Sequence, residues 1–486
     1  MQVAGHSEGR RTYQRVGFAL GPLFWIVLQF LEPSPELSTA AWQVLALAGW
    51  MAIWWGTEAI PIPATSLLPL VVLTIMGAAS PKEAASPYAN WVIFLLLGGF
   101  IIAMGMQRWD LHRRIALNIL ARAGARPNAL IGGFMAASAL LSMWVSNTAT
   151  TLMMVPIALS VAEATLGKGN LKHPFTVALL LAVAYAASIG GIATLVGTPP
   201  NAMAAAYLFE TRGIEIGFAQ WMSVGLPIVL VLVPAAWFVL TKWVFRLGDM
   251  TAEGGAAAIE DELKALGPIT TPEKRVLYLF LVVAAMWIFR PLLTQFDPLA
   301  GLSDMGIAIG GAIALFVIPS GSRRQPDSFL LDWASAVRLP WGVLLLFGGG
   351  LSLAEAVSTT GLAVWLGQGL VPLTTLHLAL LMLALVAFIT FLTELTSNTA
   401  TTAALLPVLG AIAGAGEYDP VLLVVPAAMA ASCAFMLPVA TAPNAVVFAG
   451  GHITIPQMVG AGFRLNFVAL TIITALCYAL VPLIFA

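Results

Sequence analysis

The hexapeptide Ser-Asn-Thr-Ala-Thr-Thr occurs twice in this 486-residue chain, at 146–151 and at 397–402. Each copy sits in the middle of an apolar stretch and is followed at the same distance by a proline, Pro156 and Pro407. The surroundings repeat as well. Trp91 with Gly98-Gly99 recurs as Trp341 with Gly348-Gly349, and Gly-Thr-Pro-Pro-Asn at 197–201 recurs as Ala-Thr-Ala-Pro-Asn at 440–444. A duplication of this kind restricts the fold to two related halves. Each half must place polar, turn-prone residues at a depth where its neighbours are apolar.

The apolar surroundings set the solvent. The chain is 60% hydrophobic and 9% charged, against about 25% charged in a typical soluble domain. Runs of about 17–25 apolar residues, the length of a bilayer-crossing helix, recur throughout. The expected fold is therefore an all-α polytopic membrane protein. Spans are predicted near 16–31, 39–58, 62–78, 90–107, 174–210, 217–242, 275–293, 303–319, 340–358, 421–450 and 463–485, about eleven in all. Arg10, Arg11 and Arg15 precede the first run, but no small-residue cleavage site follows it, so that run is expected to stay as a helix. Lys and Arg lie between the spans rather than in one patch, which argues against nucleic-acid binding. Cys433 and Cys477 both fall in apolar segments and read as core residues, not as a disulfide.

The stretches 129–165 and 376–414, which carry the hexapeptides, are too long for one simple span. Ser, Asn and Thr compete for backbone hydrogen bonds and break helices, so each stretch is either two full spans or a re-entrant hairpin. With the N-terminus in the cytoplasm and the C-terminus outside, 19 of the 22 Lys and Arg residues fall on the cytoplasmic side, leaving Lys82, Arg212 and Arg290 outside. This count fixes orientation but not depth. Re-entry is favoured because a polar turn at mid-membrane suits a protein-lined cavity. Five spans separate the stretches, so the two would enter from opposite faces. The resulting organisation is an N-terminal segment and first span at 1–38, a first repeat at 39–246, a cytoplasmic linker at 247–274 and an inverted second repeat at 275–486. Inverted repeats around a midplane site are an arrangement that supports alternating access.

The residue types at the breaks suggest the chemistry. Asn offers donors and an acceptor, and Ser and Thr offer hydroxyls. A helix start exposes free N–H groups that attract anions. Carbonyl and hydroxyl oxygens suit a small hard cation such as Na⁺. In Gly-Gly-Ile-Ala-Thr-Leu-Val-Gly-Thr-Pro-Pro-Asn (190–201), and again around Pro438, Pro443 and Asn444, glycines and prolines release further carbonyls. The alternative is that Ser, Thr and Asn merely join helices, which the duplication of both motifs makes the weaker reading. Glu58 and Glu394 lie at or near apolar segments, and a structural pairing is at least as good an account of them as a functional one. His377 marks the end of a hairpin arm, the glycine pairs suggest close packing, and Pro61 and Pro63 suggest a span boundary.

At these residues the chain resembles the divalent anion/sodium symporter family, from Glu58 to the C-terminus. The resemblance implies eleven spans with two re-entrant hairpins, a homodimer in the cell's plasma membrane, and elevator-like movement of a transport domain against a scaffold. By the same resemblance, one sodium site would draw on Ser142, Ser146, Asn147 and Gly197. A second would draw on Thr393, Thr396, Asn398 and Ala440, and substrate carboxylates would meet Asn147, Thr148, Ser397, Asn398, Thr399 and Thr441. Members often carry two prolines in the second broken loop, where this chain has Ala442 beside Pro443. The function implied is uptake of a C4-dicarboxylate (succinate, malate or fumarate) driven by Na⁺. The rival readings are a sodium-independent exchanger, an ion channel, and a membrane enzyme, the last disfavoured by the lack of HExxH and GxSxG patterns.

Overall fold

The structure, a computed structural model, describes residues 11–167, 170–247, 252–323 and 325–485. Among these the backbone is helical, and the β pairing is confined to one isolated bridge between Pro319 and Phe329. Eight described helices are long and apolar enough to cross a bilayer, or nine if Leu362–Thr374 and Leu378–Leu392, bent by 115°, are taken together. Arg10, Lys168 and Arg324 of the charge count, and parts of the predicted N-terminal segment and linker, lie outside the described residues.

Several predicted spans are single helices: Thr39–Thr57, Trp91–Arg108, Thr271–Leu293, Trp341–Thr359 and Ile455–Phe485. Three are interrupted. The span at 62–78 divides into Ile62–Thr65 and Leu68–Ile75, that at 174–210 into Pro174–Gly191 and Pro199–Arg212, and that at 421–450 into Val421–Ala431 and Ala442–Ala449. Prolines lie in the first turn after each break, where a missing N–H costs nothing. The hexapeptide stretches also break. The first forms arms Pro127–Ser142 and Asn147–Leu166, and the second Leu378–Leu392 and Asn398–Ala415. The arms hold 16, 20, 15 and 18 residues, about 22–30 Å at 1.5 Å per residue.

Close approach of these helices depends on glycine. A Cβ on Gly349 would stand 2.2 Å from the Ser66 carbonyl oxygen, and one on Gly190 would stand 2.3 Å from that of Ala139. The latter contact presses the first half of the broken helix onto the first hairpin arm. Cys433 and Cys477 are free and buried, as expected. Glu58 closes Thr39–Thr57 in the left-handed conformation, and His377 caps Leu378–Leu392 through Nδ1.

Three helices of ten residues or more were not anticipated: Leu111–Leu120, Leu362–Thr374 and Glu253–Ala265. The first buries Leu111, Ala116, Leu117 and Leu120 on one face and turns Arg113 and Arg114 toward the linker. There Arg113 pairs with Glu262 at 2.5 Å. Arg114 pairs with Glu273 at 2.7 Å and donates to the Gly267 carbonyl at 2.9 Å. The predicted linker is therefore partly folded, because those partly buried cations need partners.

Candidate functional site

Two tips and two interruptions converge on one cavity of about 560 Å³. One side consists of the hairpin tips (Ser146 to Ala149 and Ser397 to Thr399) and the loops of the broken helices (Gly197 to Pro199 and Ala440 to Pro443). The rest of the lining comes from the Phe100–Gln107 end of the helix Trp91–Arg108 and from Arg338 to Val343. Helices begin at Asn147, Asn398, Pro199 and Ala442, so four N-termini meet at this cavity. Pro199, Pro200 and Pro443 carry no N–H, but the first backbone N–H groups of the helices that begin at Asn147 and Asn398 have no intrahelical partner. Together with the helix dipoles they give the cavity a positive lining without a basic side chain at either tip.

Beneath the tips, two hydrogen bonds recur in both halves. Ser142 Oγ donates to Asn147 Oδ1 at 2.5 Å, and Thr393 Oγ1 donates to Asn398 Oδ1 at 2.6 Å. Thr151 Oγ1 donates to the Asn147 carbonyl, and Thr402 Oγ1 to that of Asn398, both at 2.8 Å. Ser142 and Thr393 are fully buried. A Cβ on Gly191 would come within 2.7 Å of Asn147 Oδ1 and 3.1 Å of the Gly197 carbonyl oxygen. Glycine thus keeps room beside a group of hydroxyl, amide and carbonyl oxygens, a donor set that fits a hard monovalent cation.

The six residues predicted to meet carboxylates, Asn147, Thr148, Ser397, Asn398, Thr399 and Thr441, all line this cavity. Ser146, Gly197 and Ala440 line it too, with Ser142 and Thr393 just behind. Thr396 is the one the structure turns away. Its hydroxyl donates to the Leu392 carbonyl at 3.0 Å and lies 2.5 Å from Thr401 Oγ1.

Other residues shape the site without having been singled out for it. Asn201 Nδ2 holds the first loop by donating to the carbonyls of Gly191, at 2.9 Å, and Thr194, at 2.7 Å. Asn444 Nδ2 does the same in the second loop, reaching Ala434 and Leu437, each at 3.0 Å. Both were visible as the last residue of a repeated motif. Glu394 is buried and accepts backbone N–H groups of Phe435, Met436 and Leu437 at 2.7–3.1 Å, with Asn466 Nδ2 at 2.7 Å. The first half has Met143 at the matching position, so this clamp belongs to the second loop alone. The Tyr185 hydroxyl donates to the Phe435 carbonyl at 2.8 Å.

An apolar helical bundle in which hairpin tips and interrupted helices aim four N-termini into one cavity is a membrane carrier. Comparison with known proteins gives the lineage. Residues 17–485 match the model of the sodium:sulfate symporter transmembrane region, and the chain belongs to that divalent anion/sodium symporter family, whose members are transporters and not enzymes. It is 42% identical to the sodium-dependent dicarboxylate transporter SdcS of Staphylococcus aureus strain MRSA252, over 97% of this chain and 92% of that one. The SdcS protein of strain MW2 is 43% identical over the same shares. Among solved structures, the chain resembles MtrF of Neisseria gonorrhoeae (TM-score 0.59, 14% identity, 93% of this chain and 97% of that one). It also resembles the YdaH transporter of Alcanivorax borkumensis (TM-score 0.56, 15% identity, 91% and 97%). These two likenesses concern the fold.

Proposed function

We propose that the protein takes up C4-dicarboxylates such as succinate, malate or fumarate, driven by inward Na⁺, by alternating access of an elevator type. The observation that carries this is the convergence of four helix N-termini on a cavity with an oxygen cluster under each hairpin tip. Each helix start is worth roughly half a positive charge, so four supply about two, the charge of a dicarboxylate with opposite sign. The naming of the SdcS relatives as sodium-dependent dicarboxylate transporters supports the same substrate and coupling ion.

In this reading one Na⁺ is held by Ser142, Ser146, Asn147 and Gly197, and a second by Thr393, Asn398 and Ala440, with Thr396 contributing through its backbone. Removing a hydroxyl proton from between paired oxygens by rotation frees lone pairs for the ion, which in turn fixes the asparagine. Asn147 and Asn398 then present amide N–H groups to the carboxylates, alongside Thr148, Ser397, Thr399 and Thr441. Ala442 leaves that wall smaller than a second proline would.

The first arms, of 16 and 15 residues, are about 22–24 Å long and fall short of a 30 Å hydrocarbon core, and both tips reach one cavity, which supports re-entrant hairpins in inverted repeats. The wall made by the tips and broken loops would travel, while the wall of Phe100–Gln107 and Arg338–Val343 stays with the scaffold. The charge distribution supports a cytoplasmic N-terminus and an outer C-terminus in the plasma membrane; Gln107 and Arg338, which line the cavity, belong to the basic segments placed on the cytoplasmic side, so in this reading the cavity faces the cytoplasm. A homodimer completes the proposal. Uptake of labelled succinate into proteoliposomes tests it: accumulation with an inward Na⁺ gradient is expected, and none with K⁺ in its place. Equal exchange in K⁺ would instead identify a sodium-independent exchanger.

A further inference from the structure

Arg338 lines the same cavity from the segment just before the helix Trp341–Thr359, outside the hairpin tips and broken loops. Every other polar residue in that lining is neutral (Ser, Thr, Asn and Gln107), so its guanidinium is the cavity's one formal charge among the described residues. It is not used up elsewhere. Its nearest hydrogen-bond partner is Ser335 Oγ at 3.3 Å, and no described carboxylate lies within ion-pair distance, whereas nearby Arg108 is engaged with Asp332 at 2.5 Å. The side chain is exposed at the start of the helix Trp341–Thr359, which places it at the mouth rather than at the tips.

Resting on the transport reading above, we propose that Arg338 is a one-sided specificity residue: it attracts dianions into the cavity from the face the cavity opens to, and it has no part in the state open to the other face. The physical reason is its wall. The anion-binding groups at 146–149, 197–199, 397–399 and 440–443 would move together, and Arg338 would stay behind. A charge at the wet rim of a site acts on the rate of encounter and on salt dependence more than on the docked complex. Lysine, a point charge, therefore suffices there, because no two-pronged docking is required.

The test uses a host strain without its own dicarboxylate uptake. Whole cells present the outer face and inside-out membrane vesicles the inner face. For Arg338→Gln, the KM for succinate in inside-out vesicles is expected to rise about three- to tenfold with Vmax within about twofold, while KM in whole cells is unchanged. Arg338→Lys should match the wild type. Raising ionic strength at fixed Na⁺ should raise the wild-type vesicle KM but leave that of Arg338→Gln where it is. An unchanged vesicle KM, an equal shift on both faces, or failure of Arg338→Lys to restore KM would each overturn the inference while leaving sodium-driven uptake standing. Absence of succinate transport by the wild type in both preparations would overturn the transport reading and this inference with it.

Discussion

Asn201 and Asn444 hold two loops 243 residues apart in the same way, each amide nitrogen reaching the carbonyls ten and seven residues before it. Both side chains are fully buried. A broken helix leaves carbonyls without partners, and these two amides cover them in place of the missing helical N–H groups. Asn201→Ala or Asn444→Ala should each cost about 1–3 kcal/mol by leaving buried carbonyls unpaired. Asn444→Asp should be worse, because it sets an acceptor against acceptors. Thermal unfolding in detergent reads the loss, and wild-type stability in the alanine variants would show that the loops hold without the amides.

Asn147→Ala and Asn398→Ala remove groups that line the cavity and the acceptors of the Ser142 and Thr393 hydroxyls, with the fold's apolar packing left in place. Uptake of labelled succinate should be abolished and the melting temperature nearly preserved. Transport at the wild-type rate in either variant would remove that asparagine from the mechanism.

The hydroxyls behind them make a different prediction. Ser142→Ala and Thr393→Val each delete one candidate cation ligand. The Na⁺ concentration for half-maximal uptake should rise about tenfold for the loss of one such contact. Li⁺ and Na⁺ titrations of initial rate would show it, and an unchanged Na⁺ dependence would rule these oxygens out as ligands.

Glu394 clamps three successive N–H groups of the second loop. Glu394→Gln replaces one acceptor oxygen by a donor, and loss of hydrogen bonds to a charged group costs about 1.5–3 kcal/mol. Hydrogen exchange at 435–437 should accelerate, with the first loop at 192–197 unaffected. Equal acceleration in both loops would mean that the effect is global.

Glycine packing gives a control pair. Gly349→Ala puts a methyl 2.2 Å from the Ser66 carbonyl, whereas a Cβ on Gly310 meets nothing within 4 Å. The first should lose about 1–3 kcal/mol, while the second should be neutral or slightly more stable, since alanine is the better helix former. Purified yield and melting temperature compare them directly.

Much of this site could be read from the chain because its parts are local. A hexapeptide turn, a Gly-Pro break and a capping asparagine each declare themselves within a few residues, and their duplication set them apart from ordinary helix contacts. What escaped was whatever depends on distant partners. Glu394 binds backbone N–H groups 41–43 residues away, which no side-chain pattern announces. Leu111–Leu120 and Glu253–Ala265 are short helices in charge-rich sequence, held by Arg113 and Arg114 pairing across about 150 residues. Arg338 counted as one more cytoplasmic charge until the fold brought it to the cavity. Thr396 stands one residue before the second hexapeptide, yet helical back-bonding to Leu392 points its hydroxyl elsewhere.

The Phe435 peptide is gripped at both ends, its N–H by Glu394 and its carbonyl by Tyr185, which rises from the other half of the chain. Hydrogen bonds of 2.7 and 2.8 Å tolerate little slippage. On the elevator reading proposed above, the two interrupted helices would rise as a single piston, with the sliding surface lying outside them.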